Sequence, residues 1–193
     1  LIAEAAPQGF ALYAELKTDM TPDPAQAQAL AEAYVAALDG SPVAQQHRVI
    51  GFDWRCLAQV RAQRPEIKNG YTTLAFASTD PNHESAAQDK PKSKTAALRA
   101  ASQNGAPWWG AHDWRQQKGD THGEKVLRAI AAAGGQSWIA YWRDVTPDTM
   151  AIAHELGLQV SAWTVNEQAD MKSLAAMGVE ALITDRPDRA LNL

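Results

Sequence analysis

One pattern constrains this chain more than any other: an alanine-rich amphipathic stretch, a glycine, then a short apolar run that ends in polar residues. Spacings of this kind read as helix, stop and strand, because the apolar period changes from that of a helix to that of a strand across the glycine. The unit recurs as IAAAGG before QSWIAYW, AIAHELG before LQVSAWTV, and SLAAMG before VEALITD. Trp142, Trp163 and Asp185 mark the ends of these three strands, and their separations of 21 and 22 residues each hold one strand and one returning helix. Further upstream FALYAELK, RVIGFDW and IKNGYTTL read as three more strands, with TPDPAQAQALAEAYVAALDG and CLAQVRAQRP as the helices between them. Thr21-Pro22 and Thr146-Pro147 supply an N-cap followed by proline at the first helical position.

Strands that alternate with helices make parallel sheets, since each parallel crossover needs a connection long enough to return along the sheet. An open doubly wound sheet carries a glycine-rich phosphate turn after its first strand, and neither such motif occurs here. The expected architecture is therefore α/β, a closed (β/α)8 barrel of the TIM type. Eight strands need about 250 residues; the chain has 193. On this reading only strands 3 to 8 are present, residues 1–193 are one partial barrel domain, and two strand–helix units are missing from the front. Residues 79–123 break the pattern as a long inserted loop, which is either functional or disordered. Within it Lys90, Lys92 and Lys94 are expected to be solvated, while Trp108, Trp109 and Trp114 either plug the loop onto the barrel rim or wall a substrate.

A formal charge of -4 does not suit a chain that neutralises a nucleic-acid backbone. No apolar stretch approaches the length of a membrane span, and no signal peptide leads the chain, so a soluble protein of the cytoplasm or periplasm is expected. The single cysteine, Cys56, lies in an apolar run and is expected to be buried and inert.

Alternate strand residues share a face. Leu12, Ala14 and Leu16 then turn with Phe10 toward the helices, and Glu15 and Lys17 turn with Tyr13 toward the barrel axis, at the end where barrel active sites are built. Glu15 can supply a hard oxygen to Mg²⁺ or Ca²⁺, and Lys17 a point charge for an anionic oxygen; alternatively the two form only an ion pair. Parity also turns Ser161, Trp163 and Val165 inward, with Trp163 either lining a pocket or filling core. Asp185 is expected to cap the short helix that follows. The five histidines show no metal-binding spacing: His47 and His154 read as structural, and His83, His112 and His122 as exposed loop residues.

The segments LYAELKTD, GFDW, AQRPEI and AHELGLQVSAWTVNEQADMKSLAAMGVEALITDRPD together resemble the later part of a glycerophosphodiester phosphodiesterase. PWWG and AAGGQSW resemble members with an extended fifth loop. The resemblance implies a (β/α)8 barrel in lipid and glycerol metabolism that hydrolyses small-molecule glycerophosphodiesters, such as glycerophosphocholine, to glycerol 3-phosphate and an alcohol. A divalent cation and two histidines would do the chemistry. Glu15 is implied as a metal carboxylate, Lys17 as the catalytic charge on the phosphate side, and Trp163 and Phe52 as substrate-binding residues. The H-R pair, the P-E-N-T-like segment and the E-x-D and H-D carboxylates of the family's first two strands do not occur in this chain, so the fragment alone is expected to be inactive. Two alternatives remain: a non-catalytic barrel fragment that serves as a binding or structural part, and a phospholipase D of the sphingomyelinase type.

A barrel lacking two strands leaves FALYAELK and VEALITD as open edges, which invite pairing with another chain. The expected outcome is that the 193 residues are ordered only when the N-terminal segment or a second copy completes the sheet. Size-exclusion light scattering with thermal melts tests this, and a cooperatively melting monomer would contradict it.

Overall fold

The computed structural model describes residues 11–20, 22–41 and 44–193. The chain is α/β and divides into two compact units, one running to Thr72 and including Pro107–Gly110, the other comprising Thr73–Ala106 and Ala111–Leu193. Among the described residues no helix is long and apolar enough to cross a membrane.

In the first unit, strands β1 (Leu12–Glu15), β2 (His47–Gly51) and β3 (Lys68–Thr72) lie side by side and parallel. Helices α1 (Ala25–Leu38) and α2 (Trp54–Gln63) make the returns that parallel pairing requires. Alanine gives α1 both helix propensity and a thin face, so Ala27 and Ala31 are buried and the Cys56 thiol of α2 reaches the Ala27 carbonyl at 3.2 Å. Burial pushes that thiol up to about 12, so it is inert as expected. Helix α1 opens later than its sequence suggests, at Ala25 after Pro24, with Asp23 accepting from the Ala25 N–H at 2.9 Å. Thr21, the expected cap, lies outside the described residues, as do Phe10 and the rest of residues 1–10.

Trp54 fills the centre of this unit, fully buried, with Tyr71 edge-on at 5.1 Å and Trp109 edge-on at 4.6 Å. Trp108 and Trp109 are thus core residues here, which favours the plug over the substrate wall. Gly51 is required by packing, because a Cβ there would lie 3.0 Å from the Leu16 carbonyl oxygen across the β1–β2 seam.

In the second unit, β4 (Ser137–Tyr141), β5 (Gln159–Trp163) and β6 (Ala181–Leu182) are also parallel neighbours. The 79–123 segment carries helix α4 (Lys94–Gln103), preceded by the four-residue α3 (Phe76–Thr79). Helix α5 (His122–Ala132) follows the segment, and α6 (Pro147–Glu155) and α7 (Gln168–Met177) separate the strands. Pro147 stands in the first turn of α6 and Thr146 is its N-cap, as the sequence suggests; Thr149 completes a reciprocal capping box with it. A last short helix, α8 (Pro187–Ala190), has Arg186 as its N-cap and no side-chain cap. Asp185 therefore does not cap it; its carboxylate accepts from the Asn166 amide at 3.1 Å instead.

Lys90, Lys92 and Lys94 are exposed, as their pattern suggests. The segment around them is tied down by Arg99, which is 6% exposed. Its guanidinium donates to the Asp89 carboxylate at 2.5 Å, the Asp80 carbonyl at 2.7 Å and the Ser85 hydroxyl at 2.8 Å. One planar fork thus ties residues 80, 85 and 89 to α4, across a segment whose own regular structure is a single short turn of helix at Glu84–Gln88.

Removing a buried charge partner leaves the other charge uncompensated. Arg99→Ala is expected to destabilise the protein by about 3 kcal/mol and to open residues 80–93 to limited proteolysis, with Arg99→Lys recovering only part. Denaturant melts and proteolysis mapping check this; an unchanged cleavage pattern would contradict it.

Candidate functional site

The sequence places its candidate charges at the end of β1, and there the expected alternation holds. Residues 11, 13, 15 and 17 are exposed, while Leu16 is buried on the opposite side. Glu15 and Lys17 come together as an ion pair of 2.6 Å, with side chains 29% and 75% exposed. An exposed pair of this kind contributes at most about 1 kcal/mol, so either partner can exchange it for a ligand.

Phe52, at the end of β2, is half-buried. The next residue, Asp53, is a buried acid whose capacity is already taken. It caps α2 through the Arg55 N–H at 3.1 Å, accepts from the Arg55 guanidinium at 2.7 and 2.8 Å, and accepts from the Thr18 hydroxyl at 2.8 Å. Asp53 thereby anchors the turn after β1, which begins just past Lys17.

A divalent cation of this kind needs about six or more oxygen ligands. Among the described residues no three His, Cys, Asp or Glu side chains are grouped to hold a metal. Glu15 offers one carboxylate, already facing an ammonium, so the side chains at this strand end do not by themselves fit such an ion.

In the second unit, Trp163 ends β5 half-buried, with its indole N–H donating to the Ile139 carbonyl at 3.1 Å. Tyr141 is its register partner on β4 and meets it edge-on at 5.5 Å. Just beyond, Asn166 ties two chain segments together. Its side-chain oxygen accepts from the Thr184 hydroxyl at 3.1 Å and the Asp185 N–H at 3.0 Å. Its backbone carbonyl accepts from Arg189 at 2.7 Å. The W-T-V-N and I-T-D segments are thus one hydrogen-bonded rim, and Asn166, Thr184 and Asp185 are its fasteners.

Two ionisable groups of this unit escaped sequence reasoning. His122 is not an exposed loop residue; it opens α5, edge-on to Phe76 at 5.2 Å and Trp114 at 4.4 Å. Burial among these rings lowers its imidazole to about 4, so it is neutral, with Thr79 as its polar neighbour at 3.2 Å. Asp144 follows β4 and accepts from the Phe76 N–H at 2.9 Å. Burial pushes its carboxyl up to about 7 despite that hydrogen bond. No local signal in R-D-V-T marks Asp144, because its partner is 68 residues away.

Residues 5–189 match the glycerophosphoryl diester phosphodiesterase family. The chain belongs to that family. It resembles a protein of Silicibacter pomeroyi assigned as a glycerophosphoryl diester phosphodiesterase, with 28% identity and a TM-score of 0.66 over 94% of this chain and 49% of that one. A glycerophosphodiester phosphodiesterase from Parabacteroides distasonis is 15% identical, with a TM-score of 0.63 over 96% of this chain and 57% of that one. A phosphodiesterase from Oleispira antarctica, solved with its product sn-glycerol-3-phosphate, is 15% identical, with a TM-score of 0.60 over 94% of this chain and 54% of that one. At 15% identity the last two likenesses concern the fold alone. The chain spans about half the length of these solved relatives. Among curated proteins nothing matches it.

The Asp144 carboxyl holds its proton in the fold to about pH 7, against 3.8 as its ordinary value. Between those values the folded state binds more protons than the unfolded one, so stability present below pH 4 is lost as pH rises toward 7. Asp144→Asn keeps an acceptor for the Phe76 N–H and removes the charge. It is expected to raise stability at pH 8 by on the order of 1 to 2 kcal/mol and to change little at pH 4. Thermal melts at both pH values check this; an equal shift at the two would contradict it.

Proposed function

We propose that these residues are the C-terminal part of a hydrolase that cleaves glycerophosphodiesters to glycerol 3-phosphate and an alcohol, with a divalent cation. The family match over residues 5–189 carries this reading. In it the chain provides strands three to eight of a (β/α)8 barrel. This reading requires the remaining strands, the acid–base histidines and further carboxylates in addition to these residues.

Each candidate residue then has a chemical task. Lys17 turns from Glu15 to a phosphate oxygen, which its exposed position and weak pairing favour. Its ammonium stabilises charge that grows on the phosphoryl group as the ester bond breaks. Glu15, released from Lys17, would offer one hard oxygen to a divalent cation, which would need further ligands besides it. Trp163 and Phe52 contribute apolar surface against the substrate and exclude water from it. Among the described residues no group of side chains could by itself hold the cation, so on this reading these residues need the rest of the site for turnover.

A second reading rests on the same 2.6 Å contact. If Glu15 and Lys17 serve only each other, the chain is a non-catalytic barrel part with a binding or structural role.

The two readings separate in the full natural chain that carries these residues. The hydrolase reading expects glycerophosphocholine hydrolysis that EDTA abolishes and that Mg²⁺ or Ca²⁺ restores. Glu15→Gln is expected to reduce kcat at least about a hundredfold while the melting temperature barely moves, because a neutral amide is a poor ligand for a hard cation. Full activity in EDTA, or an active Glu15→Gln, would overturn it.

A further inference from the structure

Trp163 is limited as a recognition element. Its one hydrogen-bond donor is already bonded to the Ile139 carbonyl, so it can offer a substrate only its ring. A wall built from such a ring sorts ligands by shape and hardly distinguishes a hydroxyl from its absence. The polar group next to it is the phenol of Tyr141. Tyr141 and Trp163 are paired in parallel register, so both side chains leave the sheet on the same face and at the same strand ends. Both rings are half-buried, and they meet edge-on at 5.5 Å. Among the described residues no group hydrogen-bonds the Tyr141 hydroxyl, whose ring contacts are to Trp142 and Trp163.

We propose that Tyr141 is a specificity-determining residue beside Trp163, whose hydroxyl exchanges a hydrogen bond with a hydroxyl of the substrate's glycerol moiety. The assignment rests on the hydrolase reading above and deepens it.

Four features favour a polyol over the other parts of such a substrate. A phenol is both donor and acceptor, as is an alcohol, so either direction of the hydrogen bond serves. Aromatic rings present apolar faces to the C–H groups of a polyol while the hydroxyl reads its oxygen. A cationic headgroup is disfavoured here, because the Arg143 guanidinium already covers the Trp142 ring at 4.8 Å, next to Tyr141. A phosphate would draw on full positive charge, which Tyr141 lacks.

The test uses the full natural chain with glycerophosphocholine and two analogues, each lacking one glycerol hydroxyl. The wild type is expected to prefer the complete substrate over one of the analogues. Tyr141→Phe is expected to lower kcat/KM for glycerophosphocholine roughly tenfold, mainly through KM, and to leave that one analogue unchanged, so the preference disappears. Its melting temperature should match the wild type. Equal losses on all three substrates would mark Tyr141 as structural and overturn the proposal, as would no loss on any. A wild type that cleaves glycerophosphocholine without discriminating either analogue overturns the proposal but leaves the hydrolase reading intact. A wild type that cleaves no glycerophosphodiester overturns both.

Discussion

A parallel strand can pair with its successor only if the chain returns along the outside of the sheet, and most of the molecule's organisation follows from that requirement. Each return brings the next strand back to the same end, so the residues that close one strand stand beside those that close its neighbour. Glu15 lies opposite Ile50, one step before the Gly51 that clears the Leu16 carbonyl, and Tyr141 lies opposite Trp163. Within each unit, side chains far apart in sequence thereby form short rows at the strand ends. The returning helices are thin-faced where they must approach closely, as Ala27 and Ala31 of α1 are, and the packing they permit holds the register.

The polar groups near these strand ends fall into two kinds. Asp53 and Asn166 are engaged by several partners each, as is Arg99 within the 79–123 segment, and they hold turns and loops in place. Glu15 and Lys17 hold each other in a contact that solvent weakens. The difference is functional in kind: groups held by several partners build a scaffold, whereas weakly engaged ones can exchange partners. Buried Asp144 and His122 belong to neither kind. Their environments favour the neutral forms, and they make the second unit sensitive to pH in opposite senses.

Family membership gives these local facts a chemical context without completing it. The chain matches the glycerophosphoryl diester phosphodiesterase family along nearly its whole length, yet it spans about half of its solved relatives. Its own side chains offer one exposed lysine–glutamate pair at a strand end, and an aromatic pair at another.

Much of this was determined by the sequence alone. Helix, glycine and strand alternate audibly in IAAAGGQSWIAYW and AIAHELGLQVSAWTV, because backbone propensity and apolar period are local properties. The N-cap at Thr146 and the two-residue alternation that sets 11, 13, 15 and 17 apart from buried Leu16 are equally local, and both were legible. What only the tertiary structure decided was the partner of each polar group. Asp185 resembles a helix cap in sequence, but Asn166, 19 residues earlier, takes its carboxylate. His122 follows a polar, glycine-containing stretch, yet Phe76 and Trp114 enclose it and keep it neutral. Asp144 meets a backbone N–H 68 residues away, and Trp109, with Trp108 beside it, folds onto Trp54. Long-range contacts of this kind depend on which surfaces the returning helices bring together, and no spacing along the chain encodes them.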